Sequence, residues 1–285
     1  MITSATHIWL VAAGFALIYR MSGFFNFSHA AAYTCGAYAA YVVTNWLSAP
    51  FVLGFFFGTA TAAAVGGLLE LSVFRLLRRR GAHPISLLLA SLGCLIVIQS
   101  AISMVFGDDV KSAGRNGLSR VVLAIGGAHL TPIQFVLIGS AVGAGLILAA
   151  LLLRTRLGMI LRATANDPDL AKCMGVEIDR AILVSFVIGS TLAGIAAILW
   201  AENTALSPAM GFNALLLGVA AALVGGLRSI VGSFAGAVLI GCIQQLALWF
   251  ISGEWQNVII FLVMILVLVF RPQGLIGQPL RKASV

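Results

Sequence analysis

Arg154–Arg180 reads RTRLGMILRATANDPDLAKCMGVEIDR. Nine of the 26 charged residues of this 285-residue chain fall inside it. On either side run apolar stretches long enough to cross a bilayer, for which about 20 residues suffice. A polar segment this dense between such neighbours is a loop held in water, a surface made for a partner, or both. The apolar flanks settle the fold class, and the segment's own punctuation settles what the loop is built from.

Outward from this segment the chain is 61% hydrophobic and 9% charged, with a mean hydropathy of +1.07. Soluble domains carry about 25% charge, so the solvent for most of this surface is lipid. The apolar runs predict an all-α polytopic membrane protein of about eight to nine transmembrane helices, some of them broken. They form a single transmembrane domain over residues 1–285, with polar loops at 154–180 and 107–131. The 31 glycines suit helices that approach closely or break. The net charge of +8 does not imply nucleic acid, because the basic residues lie between apolar runs, where membrane orientation accounts for them. The four cysteines show no CxxC or Cys/His spacing, so no metal site is expected. The first segment lacks a basic leader and reads as a retained helix, a little short at its start.

In order, spans are predicted near Ile8–Tyr19, up to Leu47, Phe51–Phe74, Pro84–Phe106, Pro132–Leu153, Ala181–Ala201, from Ala214 to a break at Gly225-Gly226, Gly232–Phe250 and Gln256–Phe270. Within 107–131 the run VVLAIGG suggests a short strand or hairpin. Alternating the spans with the C-terminus inside puts 14 Lys and Arg on the inner segments and three (Lys111, Arg115 and Arg120) on the outer ones. The positive-inside rule then places 154–180 and the C-terminus in the cytoplasm and the N-terminus outside. Arg20 before Gly23 and Arg228 before Gly232 form a weak internal echo of the kind transporters carry.

Three stretches could carry chemistry. Asn26, Ser28 and His29 crowd three polar side chains into four positions, which in hydrocarbon must be paired, face a cavity or unwind the helix. They line a solute path, or Asn26 or Ser28 caps the helix that follows. In 154–180, Leu157, Ile160, Leu161 and Thr164 share one helical face. Asp167 stops that helix and caps a second, with Pro168 in its first turn. Gly175 ends the second helix. A link this long between membrane helices suits a socket in another protein. At the third stretch, Gly225, Gly226 and Gly232 mark a helix break. No G-x-x-x-x-G-K-[ST] occurs, so the chain cannot itself cradle ATP phosphates, and no acidic residue lies mid-span to couple protons or sodium. No catalytic residue is expected, and energy comes from a partner.

Gly23–Tyr38, G-x-x-N-F-S-H-A-x-x-Y-x-x-G-A-Y, resembles the signature of the branched-chain amino-acid (Liv-type) ABC transporter permease family. Arg162–Arg180 looks like that family's ATPase-facing loop, Gly225–Ser233 like its G-G-x-G-S-x-x-G-A, and Arg271–Gly277 like its closing R-P-x-G-[IL]-[LF]-G. Ala30 and Arg228 stand where the family usually has glycine. The resemblance implies a multi-pass subunit of the bacterial inner membrane, itself no enzyme and without a cofactor of its own. It implies a second similar permease, two cytoplasmic ATP-binding subunits and an extracytoplasmic solute-binding protein as partners. The cargo would be a branched-chain or related amino acid, with urea, short amides or a stand-alone facilitator as the competing possibilities. It assigns ATPase coupling to Arg162, Asp167, Ala171, Gly175, Asp179 and Arg180.

Overall fold

The computed structural model describes residues 2–111, 123–125, 128–227, 229–250, 255–271 and 273–276. Arg115, Arg120, Arg228, Glu254, Pro272, Gly277, Arg281 and Lys282, which entered the charge count or the motifs above, lie outside the described residues.

Nine helices of membrane character occur among the described residues. They are α1 (Ile2–Ser22), α2 (Ser28–Tyr41, continued by a π turn Val42–Trp46), α3 (Phe51–Leu69), α5 (Pro84–Phe106), α6 (Pro132–Arg154), α9 (Ile178–Asn203), α10 (Met210–Gly225), α11 (Ile230–Phe250) and α12 (Gln256–Phe270). A π turn, Glu70–Phe74, joins α3 to the one-turn helix α4 (Arg75–Arg79). Six helices are long and apolar enough to span a bilayer, and α2, α10 and α12 are shorter. The predicted hairpin is present, β1 (Leu123–Ile125) pairing antiparallel with β2 (Ala128–Leu130).

The first helix is full length, contrary to the expectation that it is short. Its opening turn is polar, which hides it from a hydropathy count, and Thr6 Oγ donates back to the Thr3 carbonyl at 2.9 Å. It is also the axis of the molecule. Of its apolar window 72% is buried, against 17% for α6 and 22% for α5, so α1 is wrapped by protein and the latter two lie at the outside of the bundle. Around α1 stand α9, α10, α11 and α6, with α2 between α3, α9 and α10.

Close approach is made possible where side chains are missing. A Cβ on Gly14 of α1 would stand 2.6 Å from the Gly189 carbonyl oxygen of α9, and one on Gly189 2.8 Å from that of Gly14. Helices this near gain dispersion contacts along their length, the main attraction available between helices already in lipid.

Two ends can be told apart. At one, Lys111 and Leu206 exchange backbone hydrogen bonds of 2.9 and 2.8 Å, joining the loop after α5 to the loop after α9. At the other lie α4, the connector between α6 and α9, and the break after α10. There, too, Leu275 N–H donates to Val224 O at 2.8 Å and Ile276 N–H to Gly225 O at 3.1 Å. The second end collects the arginines.

Candidate coupling face and solute path

The segment Arg154–Arg180 folds as two short helices. Thr155 Oγ1 accepts from Gly158 N at 3.1 Å and starts α7 (Arg156–Asn166). Asp167 closes α7 in an extended conformation and opens α8 (Pro168–Cys173), its Oδ1 accepting from Leu170 N at 2.9 Å. Pro168 sits at the first helical position, where its missing N–H costs nothing. Gly175 follows α8 with φ +83°, a region that suits glycine, and nothing lies within 4 Å of a Cβ placed there. Cap, proline and glycine therefore stand where the sequence puts them. The inward face of α7 differs. Gly158, Leu161 and Thr164 are buried, while Leu157 is exposed and lines a cavity of about 420 Å³ with Ile160, Gly175, Val176 and Arg180.

On α8 only Ala171 is turned inward; Leu170 and Met174 are 62% and 79% exposed. Apolar side chains displayed beside Asp169 and Lys172 on a short polar hook form a patch suited to a protein partner. Arg162 stays on α7, its Nε donating to Gly158 O at 3.3 Å. Arg180 pairs with Glu177 at 2.6 Å on the exposed side.

Asp179 fastens the hook to the rest of the chain. Its carboxylate meets Arg75 at 3.1 Å, Arg78 at 3.6 Å and Arg79 at 3.0 Å, all on α4. Arg78 also pairs with Glu70, whose side chain is fully buried in the π turn. The result is one network of two carboxylates and three guanidinium groups bridging α3–α4 and the start of α9. In the sequence these arginines mark only orientation, and Glu70 stands out for no role. The pairing partners are about a hundred positions apart, and no periodicity reports that. The arginine density beside a lone acidic residue was the available signal.

Asn26, Ser28 and His29 are all buried at the start of α2. Asn26 Oδ1 accepts from Ser28 N at 3.1 Å and from Ser28 Oγ at 2.6 Å, so of the two expected caps it is Asn26 that holds the start of α2, from one residue ahead of the helix-opening Phe27. Ser91 of α5 holds the approach, accepting from Phe27 N at 3.0 Å. His29 packs on Phe15, with the backbone of Val11 close by, and neither ring nitrogen has a hydrogen-bond partner of good geometry among the described residues. The four main cavities among the described residues are lined by other side chains. The capping geometry is thus plain, and a path role requires the helices around α2 to part.

Gly225 is the last residue of α10, and Gly226 takes φ +112°. Ser229 then starts α11, its Oγ accepting from Gly232 N at 2.9 Å. A Cβ on Gly225 would stand 1.9 Å from the Gly232 carbonyl oxygen, so the break is a sharp fold in which the two backbones touch.

The family model described as branched-chain amino acid transport system / permease component matches residues 1–268. The chain is 28% identical over 286 residues to the high-affinity branched-chain amino acid transport system permease protein LivH of Escherichia coli (strain K12), covering 95% of this chain and 91% of that one. It is 29% identical over 290 residues to the corresponding protein BraD of Pseudomonas aeruginosa, with the same coverage. A shorter similarity, 32% over 123 residues (40% of this chain and 34% of the relative), relates it to the xylose/arabinose import permease protein XylH of Sulfolobus acidocaldarius.

Proposed function

The chain belongs to the family of branched-chain amino acid transport permease components, and from that premise we propose that it forms the membrane path of an ATP-driven amino-acid importer. Its partners are a second similar permease, two cytoplasmic ATP-binding subunits and an extracytoplasmic solute-binding protein. The seat is a bacterial inner membrane, with the arginine-rich end in the cytoplasm. The relatives are transport-system components, which favours this reading over a facilitator acting alone and over a urea or short-amide permease.

One observation carries the proposal: the exposed hook of α7, Asp167, α8 and Gly175, clamped at its far side by Asp179 to three arginines of α4. A partner pulling on Leu170 and Met174 would move α8 as a lever. Through Asp179 the load reaches α9 and α3 together, and these helices flank α2, which presents Asn26, Ser28 and His29. ATP is bound and hydrolysed on the partner chains.

The test is transport by the assembled complex in proteoliposomes. Asp167→Arg and Gly175→Arg should abolish uptake while ATP hydrolysis by the bound ATPase subunits continues. Normal uptake in both variants would remove the hook from the mechanism, and solute flux through the permease chain alone would overturn the importer reading.

A further inference from the structure

At the end opposite the arginines, α1, α9, α10 and α11 enclose a cavity of about 170 Å³. His7, Trp200, Ser207, Asn213, Leu217 and Gln244 line it. Gln244 Oε1 is fully buried and accepts no hydrogen bond among the described residues. A buried oxygen without a donor is a standing cost that an incoming N–H group would relieve. α10 begins at the same cavity. Its N-cap, Ala209, has no side-chain oxygen to offer the first turn, and Met210 and Asn213 of that turn are part of the wall. An uncapped helix start of this length favours negative charge. The aromatic side is fixed: Trp200 stacks on His7 with ring centroids 4.2 Å apart, and His7 Nε2 shares a 2.8 Å hydrogen bond with the Tyr33 hydroxyl.

We propose that this cavity is a subsite for an aliphatic α-amino acid entering the membrane path. The assignment rests on the importer reading and adds to it a place and a chemistry. The solute's carboxylate meets Asn213, Ser207 and the start of α10. Its ammonium donates to Gln244 Oε1, and its side chain lies on Trp200 and Leu217. The volume equals roughly five or six waters and falls well short of a drug-sized pocket, so it takes a small solute and excludes a peptide. A neutral sugar of the same size offers no charge to the start of α10. From the cavity, Tyr33 and then His29, one turn earlier on α2, continue a file of buried polar groups inward.

The experiment follows tryptophan emission of the full chain in lipid nanodiscs. It is titrated separately with L-leucine, 4-methylpentanoate (no ammonium), 3-methylbutylamine (no carboxylate) and D-xylose. L-leucine should give the tightest response and xylose the weakest, and Trp200→Phe should remove the response. Asn213→Ala should weaken L-leucine and the acid by about tenfold and spare the amine; Gln244→Met should weaken L-leucine and the amine and spare the acid. Tenfold is the weight of about one hydrogen bond to a charged group. Asn213 is exposed, so its truncation leaves the fold intact. An L-leucine response that survives all three substitutions, or none at all in a complex that imports leucine, overturns the subsite. A response with the expected pattern in a chain whose complex imports no amino acid upholds the subsite and overturns the importer reading.

Discussion

Asp179 is the residue on which the loop and the membrane helices depend together. It neutralises part of a cluster that would otherwise set Arg75, Arg78 and Arg79 against one another on a single turn. Asp179→Asn keeps the shape and removes the charge. We expect correctly inserted protein whose complex hydrolyses ATP with uptake reduced at least several-fold; unchanged uptake would show that the clamp transmits nothing. Glu70 differs, because it is fully buried against Arg78. Removing one partner of a buried pair costs about 3–5 kcal/mol, so Glu70→Ala should lower the thermal unfolding midpoint in detergent sharply, and the double variant with Arg78→Met should recover part of the loss. Asn26 was legible as a polar residue in an apolar place. Its Ser28 contacts identify a cap, and uptake by Asn26→Leu at matched expression measures whether it also serves the path.

Elements start and stop for reasons the sequence displays. Pro84 and Pro132 open α5 and α6, Asp167 with Pro168 opens α8, and Gly175 and Gly226 follow helices with positive φ. These signals are local, which is why the two-helix division of 154–180 and the break after Gly225 could be read in advance. Helix faces in lipid are another matter. With apolar residues on all sides no moment singles out the buried stripe. Even on polar α7, Leu157 turns to a cavity while the smaller Gly158 is covered. Glycine substitutions separate the two cases. Gly225→Ala drives a methyl into the Gly232 carbonyl and should destabilise by about 1–3 kcal/mol or more, the cost of overpacking. Gly143→Ala on α6, with nothing within 4 Å, should be neutral or mildly stabilising. Gly175→Ala has room as well, so its loss, about 1–2 kcal/mol, measures backbone strain alone. Thermal unfolding of the three purified variants gives the order directly.

The whole molecule was legible in outline because lipid leaves few options: all backbone groups must be paired within the segment, so apolar runs become helices. Nine such runs become nine helices among the described residues, with the basic connections gathered at one end. The central place of α1 was not legible, since lipid and protein neighbours look alike to an apolar side chain. Orientation is open to a direct test, because Cys173 on α8 is exposed while Cys35, Cys94 and Cys242 are not fully so. With those three replaced by alanine, a membrane-impermeant maleimide should label Cys173 in inside-out vesicles and leave it untouched in intact cells; the reverse pattern would invert the topology. The stitch of Leu275 and Ile276 onto Val224 and Gly225 has a consequence in time. The last carbonyls of α10 find no donor within their own helix, and the residues that supply one are translated only after α11 and α12. Until the ribosome reaches them, the nascent chain holds an open seam at that end of the bundle, and the last turn of α10 gains its donors only when translation is nearly done.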